Sequence, residues 1–214
     1  MITYMNFVQW FLDYLYGLRK YNYYMGTLMG KYLYHELYGS EWWNSIDDVV
    51  VLGGIPLHNL GHLQAFKQQH IGAIVSALED FETQKTFYFH PVSRDEWIAQ
   101  GIEYLHVPTE DTRGLQLSDL IEAVEFLYDH ARRKIKIYVH CKAGKGRSAS
   151  IVLGYLLLKK FETLGSVGTD DIVNCYQCLK QLRESIEINE IQMEPINQYV
   201  DWLNRDRGRV KLEN

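Results

Sequence analysis

His140-Cys141-Lys142-Ala143-Gly144-Lys145-Gly146-Arg147 decides how this chain folds, and Ser148 follows it directly. The pattern is His-Cys, five residues, then Arg. Ahead of it, Ile135-Lys136-Ile137-Tyr138-Val139 reads as a buried strand. Behind it, Ile151-Val152-Leu153-Gly154-Tyr155-Leu156-Leu157-Leu158 is apolar on all sides and reads as a buried helix. The loop therefore joins the end of a strand to the start of a helix. Its amides can converge there on an anion, helped by the positive end of the helix dipole.

The residue types suit one chemistry. A cysteine attacks as thiolate, and a helix N-terminus among cations lowers its pKa. Gly144 and Gly146 admit backbone angles closed to other residues, so amides can turn inward. Arg147 offers a planar fork matching two phosphoryl oxygens, which lysine cannot. Ser148 can donate a hydrogen bond to the sulfur and ease its departure.

The remaining pattern predicts an α/β fold. Val49–Gly54 reads as a first strand and Ile71–Ser76 as a second. Strands over 102–106 and 135–139 follow, with helices between. Leu117, Leu120, Ile121, Val124, Leu127, Tyr128 and Ala131 recur at helical spacing. Two helices after the loop helix fall near 170–184 and 195–204. Thr169 is the expected N-cap of the first, with Asp170 and Asp171 in its first turn. Pro195 is expected in the first turn of the second. Strands alternating with helices give a mainly parallel central sheet flanked by helices on both faces.

Composition bounds the function. At 214 residues and 47% hydrophobic, the chain can bury a full core. A net charge of -5 argues against a nucleic-acid partner. Three cysteines, one required as thiolate, make no disulfide framework. Cys175 and Cys178 form one Cys-x-x-Cys without the second pair of a zinc site. They share a helical pattern with Ile172, Tyr176, Leu179 and Leu182, which favours core packing for Cys175. His58, His62, His70, His90 and His130 show no metal-ligand spacing and read as loop or surface residues.

The loop resembles that of the cysteine-dependent protein tyrosine phosphatase superfamily, in its dual-specificity type. The resemblance implies the dual-specificity phosphatase-like α/β fold and a two-step reaction without metal or cofactor. Cys141 takes the phosphoryl group and water then releases phosphate. Arg147 and the loop residues Lys142, Ala143, Gly144, Lys145 and Gly146 bind the transferring group, with His140 in support. A general acid must protonate the leaving oxygen. In this superfamily it sits on a loop after an earlier strand, which points to Val107–Gly114. Asp111 matches the acid, and Glu110 is the second candidate.

Cys-Lys-Ala-Gly-Lys-Gly-Arg is also similar to the loop of the phosphatase-and-tensin type of phosphoinositide phosphatase. There the two lysines imply highly anionic inositol lipids. A plainer reading is that Lys142 and Lys145 only raise the local potential. Over Tyr21 to Leu203 the chain resembles the mitochondrial phosphatidylglycerophosphate phosphatases. The matching stretches include Trp43–Asp47, Val51–Leu57, Gly72–Val75, Glu79–Thr83, Trp97, Gly101, Thr109 and Asp111. In that resemblance Glu79-Asp80-Phe81-Glu82 is an acidic loop beside the active site, making Glu79 and Glu82 substrate-binding candidates. A solvated turn is the alternative for both. Asp80-Phe81 replaces a Glu-Tyr pair and Lys145-Gly146 an Arg-Ser pair.

Nine of the 16 tyrosines precede Gly39. Phe7, Trp10, Phe11, Tyr14, Leu15 and Leu18 recur at the spacing of one helix face, followed by Arg19 and Lys20. Gln9 and Asp13 interrupt any run long enough to span a bilayer. The stretch lacks a basic n-region and a cleavage site, so it does not read as a secretory signal. An aromatic amphipathic helix with basic residues suits a membrane interface; docking on the catalytic domain is the alternative. The expected organisation is a helical segment over 1–40, a catalytic domain over 41–207 and a tail over 208–214. The expected partner is a phospholipid phosphate at a membrane surface, with phosphoproteins as the alternative. The expected location is intracellular and peripheral to a membrane. Acidic residues are scarce before Glu36, as in a mitochondrial address, although arginine is scarce too.

Overall fold

A computed structural model describes residues 2–207, and their side chains except those of 2–8, 10, 11 and 207. The chain divides into two compact units at Glu41 and Trp42. The first is one continuous helix, α1 (Ile2–Tyr38). Of its expected apolar face, the side chains of Phe7, Trp10 and Phe11 lie outside the described ones. Tyr14, Leu15 and Leu18 are exposed. Among the described residues no helix is long and apolar enough to cross a membrane.

The second unit is an α/β layer structure. In chain order it contains β1 (Trp43–Ser45), β2 (Val50–Gly53), α2 (His62–Gln68), β3 (Ile71–Ser76) and α3 (Arg94–Ala99). Next come β4 (Glu103–His106), α4 (Leu117–Arg132), β5 (Lys136–His140) and α5 (Arg147–Leu164). α6 (Thr169–Leu182) and α7 (Glu190–Trp202) complete it. The sheet order is β1-β2-β5-β3-β4. β2, β5, β3 and β4 run parallel, and β1 adds antiparallel to β2.

Strand alternation sends side chains to opposite faces. Leu52, Val75, Ile137 and Val139 meet α4, α5 and α7 through Leu120, Val124, Leu153 and Tyr199. Val51, Ile74 and Tyr138 meet α2 and α3 through Phe66 and Trp97. Both faces are covered, which explains the near-continuous apolar strands. The carboxyl ends of four parallel strands consequently share one edge, and the loop from Cys141 to Gly146 follows the central β5.

Several boundaries differ from expectation. β1 is a strand of three residues, too short to show alternation. α6 begins at Thr169, with Gly168 as its N-cap. α7 begins at Glu190, so Pro195 lies inside it. Asn189 caps α7 and Gln192 answers it in a capping box, which outweighs the proline as a start signal. His62 and His130 are buried, contrary to the surface reading. His62 accepts from the Leu57 amide at 3.0 Å and packs against Trp43 and Phe66. His130 bonds the Phe126 carbonyl at 2.8 Å. Cys175 packs partly buried against the core, as its helix face implied.

Candidate active site

The loop between β5 and α5 has its carbonyls tied outward. Ile55 N donates to Lys142 O at 3.1 Å, and Glu187 N to Lys145 O at 3.0 Å. Arg183 donates from Nη2 to Ala143 O at 3.2 Å and from Nε to Gly144 O at 2.9 Å. Four consecutive carbonyls are therefore satisfied from outside, which frees the opposite side of the loop for converging amides. Gly144 takes φ +71°, and a Cβ there would strike the Gly53 backbone. Gly146 is needed for room instead: a Cβ would lie 2.5 Å from Gln192 Oε1.

Cys141 Sγ is buried at the centre. It accepts from Gly144 N at 3.3 Å and from Ser148 Oγ at 3.2 Å. Burial alone would raise its pKa. The Arg147 charge and the hydrogen bonds from Ser148 and Gly144 reverse that, so the thiol lies below its ordinary value. His140 beneath it is neutral, its pKa pushed down to about 3, chiefly by burial.

Arg147 is 1% exposed and meets three groups from distant segments. Nη1 donates to Glu82 Oε2 at 2.5 Å and to Thr109 O at 2.9 Å. Nη2 reaches Glu82 Oε1 at 3.2 Å and Asp111 Oδ1 at 3.0 Å. Its buried Nε has no acceptor among the described residues. That donor is available to an incoming oxyanion.

Asp111 stands where the leaving-group acid was expected. It pairs with Lys142 Nζ as well as Arg147, and its amide donates to Glu79 Oε1 at 3.1 Å. Burial would raise its pKa, but Arg147 and Lys142 hold it below the carboxylate norm. The carboxylate thus occupies cations that a phosphoryl dianion would claim. Glu110 instead lines a separate groove beside α7.

The acidic stretch is not a solvated turn. Glu82 is 1% exposed and forms the forked pair with Arg147, while Glu79 accepts the Asp111 amide. The two lysines also part: Lys142 is buried against Asp111, and Lys145 is exposed. The structure therefore brings Cys141, Arg147, Ser148, Asp111, Lys142, Glu79, Glu82 and His140 around one point. Sequence reasoning missed Arg183, Asn189 and Gln192. Arg183 is buried just after α6, and its Nη1 donates to Asn44 at 2.5 Å. An arginine after a helix carries no local signal of such a role.

A buried thiol of lowered pKa, an anion cradle and a facing carboxylate permit phosphoryl transfer through sulfur. Residues 59–201 match the dual specificity phosphatase catalytic domain. The chain belongs to that family. This dual specificity phosphatase is a cysteine-dependent phosphoric monoester hydrolase. It is 34% identical over 118 residues to the human "Phosphatidylglycerophosphatase and protein-tyrosine phosphatase 1", covering 55% of this chain and 56% of that one. It is 26% identical over 160 residues to the Arabidopsis thaliana phosphatidylglycerophosphate phosphatase PTPMT2, covering 74% and 63%. The matches thus span less than two thirds of the length of these two relatives. The crystal structure of PTPMT1 in complex with PI(5)P superposes with TM-score 0.65 at 24% identity, covering 80% of this chain and 99% of that one. It supports the fold.

Proposed function

We propose that this phosphatase hydrolyses the phosphomonoester of an anionic phospholipid, a phosphatidylglycerophosphate or a phosphoinositide phosphate, at a membrane surface. The observation that carries the chemistry is the convergence of Cys141, Arg147 and Asp111. The substrate phosphate takes over Arg147 and Lys142, the cations that hold Asp111 ionised. Released from them beside a new anion, Asp111 carries a proton. Cys141 Sγ then forms the S–P bond as the P–O bond breaks, and Asp111 protonates the departing oxygen. In the second step the Asp111 carboxylate takes a proton from water as the water oxygen attacks phosphorus. The S–P bond breaks, and Ser148 Oγ stabilises the leaving thiolate.

The lipid reading is supported by the names of both relatives. It is also supported by two exposed aromatic residues, Phe87 at 88% and Tyr88 at 57%. They follow β3 on the edge that carries the catalytic loop. Asn59 fixes their turn, donating to Tyr88 O at 2.7 Å and accepting from His90 N at 3.2 Å. The exposed Lys145 suits an anionic surface. A peripheral association is consistent with the aromatic stretch of α1, and the scarcity of acidic residues before Glu36 accords with a mitochondrial membrane. The human relative's name also includes a protein-tyrosine phosphatase, so phosphoproteins are the second reading. The test compares turnover of anionic phospholipid phosphomonoesters in mixed micelles with that of phosphotyrosine peptides. Lipids should be turned over faster, and deleting residues 1–20 should weaken vesicle sedimentation while sparing aryl phosphate hydrolysis. Preference for peptides with unchanged vesicle binding would overturn the lipid reading.

A further inference from the structure

The residue after the acid is strained. Thr112 takes φ +65°, in the left-handed region that a β-branched residue rarely enters. Its amide donates to Asp111 Oδ1 at 3.1 Å, so this backbone conformation is part of how the carboxylate is aimed. Strain of this kind persists only where the surroundings enforce it.

The enforcing group comes from the start of α7. Asn189 Nδ2 donates to Thr112 O at 3.0 Å, 77 residues away in sequence. Its other side-chain atom, Oδ1, accepts from Gln192 N at 2.9 Å and caps the helix. Two residues further along the acid loop, Gly114 lies against the same helix. A Cβ there would stand 2.5 Å from Ile191 O and 2.8 Å from Pro195 Cγ. Ile191 O is the carbonyl that an amide at position 195 would bond, and Pro195 has none.

The same few residues also touch the phosphate loop. Glu187 N bonds Lys145 O, and the Gln192 carboxamide fills the space beside Gly146. Gln192 is 3% exposed, and its Oε1 accepts from Asn189 N at 3.3 Å. One short segment, 187–195, thus contacts the nucleophile's loop on one side and the acid's loop on the other.

We propose that Asn189 is a positioning residue for general-acid catalysis. Its Nδ2 latches the strained Thr112 turn to the helix end that abuts the phosphate loop, and so registers Asp111 against Cys141. This rests on Asp111 being the acid. Without the latch, the acid loop leaves its strained conformation more often, and the fraction of enzyme with a placed acid falls. The nucleophile, Arg147 and their carbonyl ties are untouched.

Asn189→Ser separates the two duties of the side chain. Serine is a good helix N-cap, so it keeps an oxygen for Gln192 N. It has no donor that reaches Thr112 O. Turnover of an alkyl phosphate, whose leaving oxygen is basic, should fall about tenfold, the equivalent of about 1.4 kcal/mol and the size of one net hydrogen bond. Turnover of 4-nitrophenyl phosphate, whose leaving group needs little acid help, should change less than about twofold. Thr112→Gly in the Asn189→Ser background should restore alkyl phosphate turnover, because glycine enters positive φ without strain. Asp111→Asn is measured beside it. If Asp111→Asn is selective for basic leaving groups and Asn189→Ser is not, the latch fails alone. If Asp111→Asn is itself indifferent to the leaving group, the acid assignment fails and takes the latch with it. Equal losses on both substrates in Asn189→Ser, or a double variant no better than the single one, would also overturn the latch.

Discussion

Glu82→Gln separates two accounts of the acidic stretch. Glu82 and Arg147 are each 1% exposed and meet through two contacts, 2.5 and 3.2 Å. Removing one partner of such a pair strands the other charge in the interior, which costs roughly 3–5 kcal/mol. Glutamine keeps the volume and one acceptor, and Arg147 retains Thr109 O and Asp111. The lower end, about 3 kcal/mol, is therefore expected. For a domain of this size each kcal/mol moves Tm by about 2–4 °C, so the variant should melt about 6–12 °C lower. An arginine no longer forked in place also misaims its donors, and kcat/KM on an aryl phosphate should fall about a hundredfold. Inorganic phosphate should raise the variant's Tm more than the parent's, because it supplies the missing negative charge to Arg147. Thermal melts with and without phosphate, beside aryl and lipid kinetics, measure all of this. A variant that melts with the parent, keeps aryl turnover and loses only lipid turnover would refute the brace. Glu82 would then be a substrate contact, as the sequence resemblance implied.

Cys141→Ser should abolish turnover on every substrate while retaining phosphate binding by calorimetry, because the cradle and Arg147 remain; measurable aryl phosphate hydrolysis would rule out the covalent route. The pH dependence follows from the lowered Asp111 pKa. Held below 3.8, its ion pairs with Arg147 and Lys142 contribute stability above that pH and lose it as pH falls through the lowered value. In catalysis the free enzyme's acid is already ionised near neutrality, while bound phosphate raises its pKa. kcat/KM, which reports the free enzyme, should begin to fall with rising pH earlier than kcat does, and Asp111→Asn should remove both falls. Coincident profiles would show that substrate does not reset Asp111.

The cluster of Cys141, Arg147 and Ser148 was legible because the three lie within eight residues of one another between a strand and a helix. That local order is enough to converge amides on an anion, whatever surrounds it. Asp111 was singled out by the family resemblance, which looks for an acid on a loop after an earlier strand, and the layered sheet by strands alternating with helices. The resemblance put Glu82 beside the loop, but how the loop and its arginine are held was not legible. Arg183 ties down the Gly144 carbonyl across 39 residues, and Glu82 forks onto Arg147 across 65. Neither falls within the reach of helical or strand periodicity, which reports only neighbours along one element. Pro195 misled for the same reason. A proline suits a first turn locally, but Asn189 and Gln192 cap α7 earlier, and the Ile191 carbonyl, which has no amide to bond at Pro195, lies beside Gly114 of the acid loop. Local sequence therefore determined which groups carry the proposed chemistry. Packing between distant segments decided how they are held: only a folded interior removes water from Arg147, Glu82 and Cys141, and only there do their charges and hydrogen bonds set one another's state.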